Sequence, residues 1–127
     1  MVDKKERKPV DKALQQLSSA HQLYDGKKDD LHFLLVAKAF EVLVESCWKE
    51  LKKFVEDEGL DAASPKDSVR QAARLHVISQ PEKWIECINA RNASVHNYFS
   101  ISESAYVGLA KEFQVLAKEM VKKLPSK

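Results

Sequence analysis

Apolar side chains recur every three or four positions along nearly the whole chain, and only three glycines and four prolines interrupt them. That spacing builds one apolar stripe per helix. The scarcity of turn residues argues against a meander of short strands, which needs glycine or proline at each reversal. The expected fold is all-α, an antiparallel up-and-down bundle of about five helices. At 127 residues the chain fits one domain, long enough to bury a sizeable core, with residues 1–9 and 125–127 as frayed ends.

The stripes divide the chain. Leu14, Leu17, Ala20 (or His21) and Tyr24 mark a first helix that stops near Asp25-Gly26, with glycine available for a left-handed cap. Asp29 or Asp30 can cap a second, long helix carrying Leu31, Leu34, Leu35, Phe40, Leu43, Val44, Cys47, Trp48, Leu51, Phe54 and Val55. On its wet side Glu45 with Lys49, and Lys52 with Glu56, stand one turn apart. Gly59 ends it. Ser64-Pro65-Lys66-Asp67 is a strong start signal: a capping serine, proline at the first helical position and acid in the first turn. Val69, Ala72, Ala73 and Val77 form the buried side of that third helix. Pro81-Glu82 opens a fourth, with Trp84, Ile85, Ile88 and Val95 inward, and Ser100 or Ser102 opens a fifth, with Tyr106, Leu109, Phe113, Leu116, Met120 and Leu124. Apolar residues cover more than one stripe of the second helix, so part of it is expected to face a partner subunit.

Composition narrows the function classes. With 21 basic and 19 acidic residues the net charge is +2, unlike a non-specific nucleic-acid coat, so contact with RNA needs a local patch. Cys47 and Cys87 form no CxxC pair and read as reduced, partly buried thiols of a cytoplasmic protein. The charged start, Met1 to Lys8, has no apolar stretch behind it and is no signal peptide. The most apolar run, Leu31 to Val44, is broken by Lys38 and Glu41 and is too short to span a bilayer. His21, His32 and His76 have no partner at metal-ligand spacing, and no glycine-rich phosphate loop or paired carboxylate site appears, so neither metal nor cofactor is expected. Trp48 and Trp84 sit on apolar stripes and read as core.

One segment stands apart. Arg91-Asn92-Ala93-Ser94-Val95-His96-Asn97-Tyr98 gathers an arginine, two asparagines, a serine, a histidine and a tyrosine around an expected helix end. Histidine both takes and gives a proton near neutral pH, and arginine offers a planar fork that matches phosphate oxygens. Together they suit metal-independent RNA cleavage: a base assists the ribose 2′-hydroxyl in attacking the adjacent phosphate, and arginine stabilises the charge that builds there. Asn92 would orient the phosphate or the imidazole, and Tyr98 adds a hydroxyl and a stacking face. On a continuous helix Arg91 and His96 are offset by about 140°. They converge only if the helix ends near Val95, if the arginine's length covers the gap, or if the sites of two subunits meet. The same residues also suit a structural role, arginine capping carbonyls and histidine bonding to backbone, and spacing alone does not separate the two.

From about Phe40 to Tyr98 the chain resembles the nucleotidyltransferase substrate-binding proteins of the HEPN superfamily. The resemblance rests on ordered blocks: Phe40-Glu41 through Glu45-Ser46-Cys47-Trp48-Lys49, then Ser64-Pro65 with Ala72-Ala73, then Glu82-Lys83-Trp84 leading to Arg91-Asn92, His96 and Tyr98. Arg-x4-His-x-Tyr alone is weakly specific; the blocks in this order are much more so. Ala93, Ser94, Val95 and Asn97 fill variable positions, and Leu75-His76-Val77-Ile78 stands where many members have a glycine before the apolar pair. The resemblance implies a homodimeric bundle with Arg91 and His96 at a cleft along the dimer interface. It also implies a small nucleotidyltransferase partner, the pair acting as toxin and antitoxin. The HEPN chain would be a ribonuclease silenced by AMP transfer to Tyr98, or a non-catalytic subunit that binds substrate or nucleotide for the enzyme.

Overall fold

The computed structural model describes residues 8–96 and 102–125, with side chains for 9–93 and 102–125. Among the described residues five helices follow in order: α1 (Lys8–Gly26), α2 (Asp30–Asp57), α3 (Pro65–Arg74), α4 (Pro81–His96) and α5 (Glu103–Lys123). The described residues contain no strand. The long consecutive helices run antiparallel, and α2, at 28 residues, packs against all four others.

Local chemistry sets the boundaries. Asp29 caps α2, its carboxylate accepting from the His32 N–H at 2.8 Å and from His32 Nδ1 at 2.6 Å. Ser64 caps α3 by accepting from the Asp67 N–H at 3.1 Å, with Pro65 next. Ser102 caps α5 through the Ala105 N–H at 3.2 Å; Ser100, the other candidate, lies outside the described residues. Two ends close as Schellman motifs, in which the two residues after the cap donate back to the last turn. At α2 the Gly59 N–H donates to Glu56 and the Leu60 N–H to Val55, and Gly59 takes φ +84°. At α3 the His76 N–H donates to Ala73 at 3.0 Å and the Val77 N–H to Ala72 at 3.2 Å. The left-handed position there is held by His76, at φ +63°. Gly26, expected to play this part for α1, does not adopt a positive φ; the next residue's N–H continues the helical pattern to Leu23 and Tyr24.

The core is built where the stripes meet. Trp84 packs edge-on to Phe113 at 4.9 Å between ring centroids, Phe113 to Phe40, Phe40 to Tyr106, and Tyr106 to Phe33. This ladder joins α4, α5 and α2, and each such pair adds about 0.5–1.5 kcal/mol beyond its burial. The whole expected α5 stripe is buried.

The first turns of α2 depart from expectation. Leu31, Leu34 and Leu35 are exposed, at 67%, 45% and 43%, while Phe33, Val36, Ala37 and Ala39 turn inward. Leu31 and Phe40 are about two and a half turns apart, which puts them on opposite sides of the helix. The three leucines therefore form an outward apolar face, continued by exposed Val42, with exposed Leu23 of α1 beside it. Trp48, expected in the core, is only half-buried, as are Phe54, Ala73, Ile85 and Leu14. Val77 is buried, but beyond the end of α3. His21 proves to be buried, and neither ring nitrogen has a hydrogen-bond partner.

Candidate functional site

Helix α4 carries the candidate residues. Trp84, Cys87 and Ile88 fix its inner face, each at 3% exposure or less. Beyond them Arg91 stands at the flank, its side chain 30% exposed, facing α2. One guanidinium nitrogen, Nη2, lies 2.5 Å from Glu45 Oε1 on that helix. The other, Nη1, donates to Asn92 Oδ1 at 3.4 Å. Asn92 itself is exposed. The second oxygen of Glu45, Oε2, lies 3.3 Å from Lys49 Nζ. Half-buried Trp48, on the same stretch of α2, is part of the surrounding surface.

Of the sequence-derived candidates, the structure brings Arg91 and Asn92 together. Helix α4 continues through His96, so Arg91 and His96 belong to one unbroken helix and are offset around its axis by about 140°. A helix end between them does not occur. His96 is the last described residue of α4; its side chain and all of Tyr98 lie outside the described residues.

From helical spacing Glu45 reads as the i,i+4 partner of Lys49, a pairing the structure keeps. Its contact to Arg91 spans 46 positions and has no local signature. The available signal was its place in the Glu45-x-x-Trp48-Lys49 block. The structural alternative for Arg91 also takes a different form from the one expected, since the guanidinium meets a carboxylate on a neighbouring helix. Among the described residues no group of three or more His, Cys, Asp or Glu side chains is placed to hold a metal ion.

Both thiols are buried and unpaired. Desolvation pushes Cys47 well above the usual thiol range and Cys87 up to about 12, so neither offers a nucleophile at neutral pH. No described helix is long and apolar enough to cross a membrane.

The fold resembles solved structures over most of its length. A protein from Thermus thermophilus matches with a TM-score of 0.79 at 23% identity, covering 90% of this chain and 97% of that one. The tri-AMPylated HEPN toxin of Shewanella oneidensis, solved in complex with its MNT antitoxin, matches with a TM-score of 0.80 at 14% identity, covering 94% and 92%. No curated protein sequence matches the chain. The family described as nucleotidyltransferase substrate binding protein like matches residues 5–126. With that match across nearly its whole length and a HEPN-like bundle beneath it, the chain belongs to the nucleotidyltransferase substrate binding protein like family.

Proposed function

We propose that this chain is the HEPN partner of a small nucleotidyltransferase and acts as a metal-independent ribonuclease that AMP transfer to Tyr98 switches off. The observation that supports it most is a partly exposed Arg91 on the same helix as His96, in a chain whose fold matches a HEPN toxin that is itself AMPylated. In this reading Arg91 holds the phosphate and His96 takes the proton from the ribose 2′-hydroxyl. That oxygen attacks phosphorus, and the 5′-oxygen leaves as it takes the proton back from the His96 imidazolium, yielding a 2′,3′-cyclic phosphate. Asn92 orients the arginine fork. Transfer of AMP to the Tyr98 hydroxyl, with pyrophosphate leaving ATP, adds a phosphodiester two residues from His96 and sets it in competition with RNA.

The assembly proposed is a homodimer. The outward face of Leu31, Leu34, Leu35 and Val42 supports it, because an exposed apolar strip of this length on one helix marks a contact surface. With α4 unbroken through His96, a second subunit is one of the two routes left to bring a histidine to an arginine; the other is the reach of Arg91. Two buried, unpaired thiols suit the reducing cytoplasm.

A second reading has an observation of its own. Arg91 is already engaged by Glu45, and the net charge is only +2, which suits a non-catalytic subunit that holds substrate or nucleotide for the transferase. Two measurements separate the readings. The purified chain, with chelator present, should cut single-stranded RNA, and His96→Ala should stop it; equal cutting by the variant refutes the ribonuclease mechanism. Co-expression with a small nucleotidyltransferase partner and ATP should add AMP mass at Tyr98.

A further inference from the structure

Glu45 lies between two cations. Its Oε1 contacts Arg91 Nη2 at 2.5 Å, and its Oε2 contacts Lys49 Nζ at 3.3 Å. Each oxygen of one carboxylate thus engages one cation, the pattern that two non-bridging oxygens of a phosphodiester would make with the same side chains. Lys49 and Glu45 stand one turn apart on α2, in line with the apolar strip that reaches Val42 and so at the edge of the proposed dimer face, and Arg91 approaches from α4.

We infer that Arg91 and Lys49 form a two-point grip for the phosphodiester of a single-stranded nucleic acid, and that Glu45 is its resident occupant, which turns aside when phosphate binds. The inference rests on the phosphate-binding role given to Arg91 above and adds a second contact and a gate to that site. Nothing encloses the carboxylate: the Glu45 side chain is 39% exposed and that of Lys49 63%. Turning Glu45 into water leaves its own charge solvated, and the phosphate that replaces it keeps the part-buried Arg91 paired. The exposed Lys49 contact holds Glu45 only by a factor of about two to five, and the phosphate takes over the part-buried contact to Arg91 as the carboxylate leaves it. The gate also bears on selectivity. A weakly bound anion cannot displace a carboxylate already in place, whereas a strand with neighbouring phosphates and bases adds contacts that can.

The test uses a fluorescent single-stranded DNA oligonucleotide, which lacks the 2′-hydroxyl and cannot be cut, with anisotropy titrations across a salt series. The full chain, Glu45→Gln, Glu45→Ala and Lys49→Gln are compared, each checked for helicity by circular dichroism. Both Glu45 variants should bind about threefold to tenfold more tightly than the parent, because the competing charge is gone. Lys49→Gln should bind more weakly and lower the slope of log affinity against log salt by about 0.7, one single-strand phosphate contact. Weaker binding by the Glu45 variants would mean that Glu45 orients Arg91, and the gate is then wrong. An unchanged salt slope in Lys49→Gln removes the second contact. Failure of every form to bind at low salt overturns the inference outright. Cleavage is read separately on RNA: a chain that binds DNA as described but cuts nothing loses the ribonuclease reading alone, and a chain that cuts RNA while Glu45→Gln gains no affinity loses the gate alone.

Discussion

Replacing His76 with glycine should make the protein more stable. His76 occupies the left-handed position of the Schellman motif that ends α3, at φ +63°, and it is exposed. A left-handed conformation costs an L-residue about 1–2 kcal/mol, because Cβ crowds the following carbonyl. Glycine escapes that cost but loses more backbone freedom on folding, an opposing 0.5–1 kcal/mol or so. The difference favours glycine by about 0.5–1 kcal/mol, which for a domain of this size is a rise in Tm of about 2–4 °C. The Val77 and His76 N–H bonds to Ala72 and Ala73 stay in place, since they need only the backbone. Thermal and urea unfolding of the parent, His76→Gly and His76→Ala measure the effect. Alanine keeps Cβ and the strain with it, so it should match the parent or fall below it. An equal gain in both variants would show that loss of the imidazole, and not relief of the backbone, is responsible; a loss in His76→Gly would refute the reasoning altogether.

Four further outcomes are expected. Ser64→Ala should cost about 1 kcal/mol in urea unfolding, and Ser64→Gly only a few tenths, because glycine leaves the orphan N–H of Asp67 open to water. Burial without a partner, then the nearby Lys111, lower the pKa of His21 below its usual 6.5, against an opposing pull from Asp25. The unfolded chain therefore binds that proton first, and stability present above about pH 6.5 should drain away as pH falls toward the folded-state value; His21→Leu should flatten the curve below about pH 6.5, and an unchanged slope counts against this. Cys47 and Cys87 should resist iodoacetamide in the native protein at pH 8 and react together once urea unfolds it. Leu35→Asp should shift the sedimentation coefficient from dimer toward monomer; a parent that sediments as a monomer at all concentrations removes the dimer proposal.

Much of the architecture was legible because it is local. Ser64-Pro65-Lys66-Asp67 carries its cap, its first residue and its acid within one turn, and the α5 stripe repeats often enough to leave one inward face. Where α2 carries two apolar faces, periodicity shows that both exist and is silent on which one meets the core. Leu31, Leu34 and Leu35 were thus grouped with Phe40, although they face away from it. The left-handed His76 gave no signal of its own, and only the resemblance, in which many members carry glycine before the Val77-Ile78 pair, marked the position that the hydrogen bonds now explain. At the site, Arg91 and Asn92 were named from chemistry alone. Glu45 was missed as their neighbour because the bend of the chain through α3, and no spacing rule, carries α4 back to α2.

The unequal burial of the two tryptophans gives the protein a pair of separate optical reporters. Trp84, 1% exposed and edge-on to Phe113, sits in an apolar setting whose emission should shift to the red only when the bundle opens. Trp48 is partly exposed and three residues from Glu45, so its emission samples the surface where Arg91 and Lys49 stand. With Trp48→Phe reporting unfolding and Trp84→Phe reporting the site, one spectrometer can follow a strand arriving at that surface apart from any loosening of the core, in an unlabelled protein.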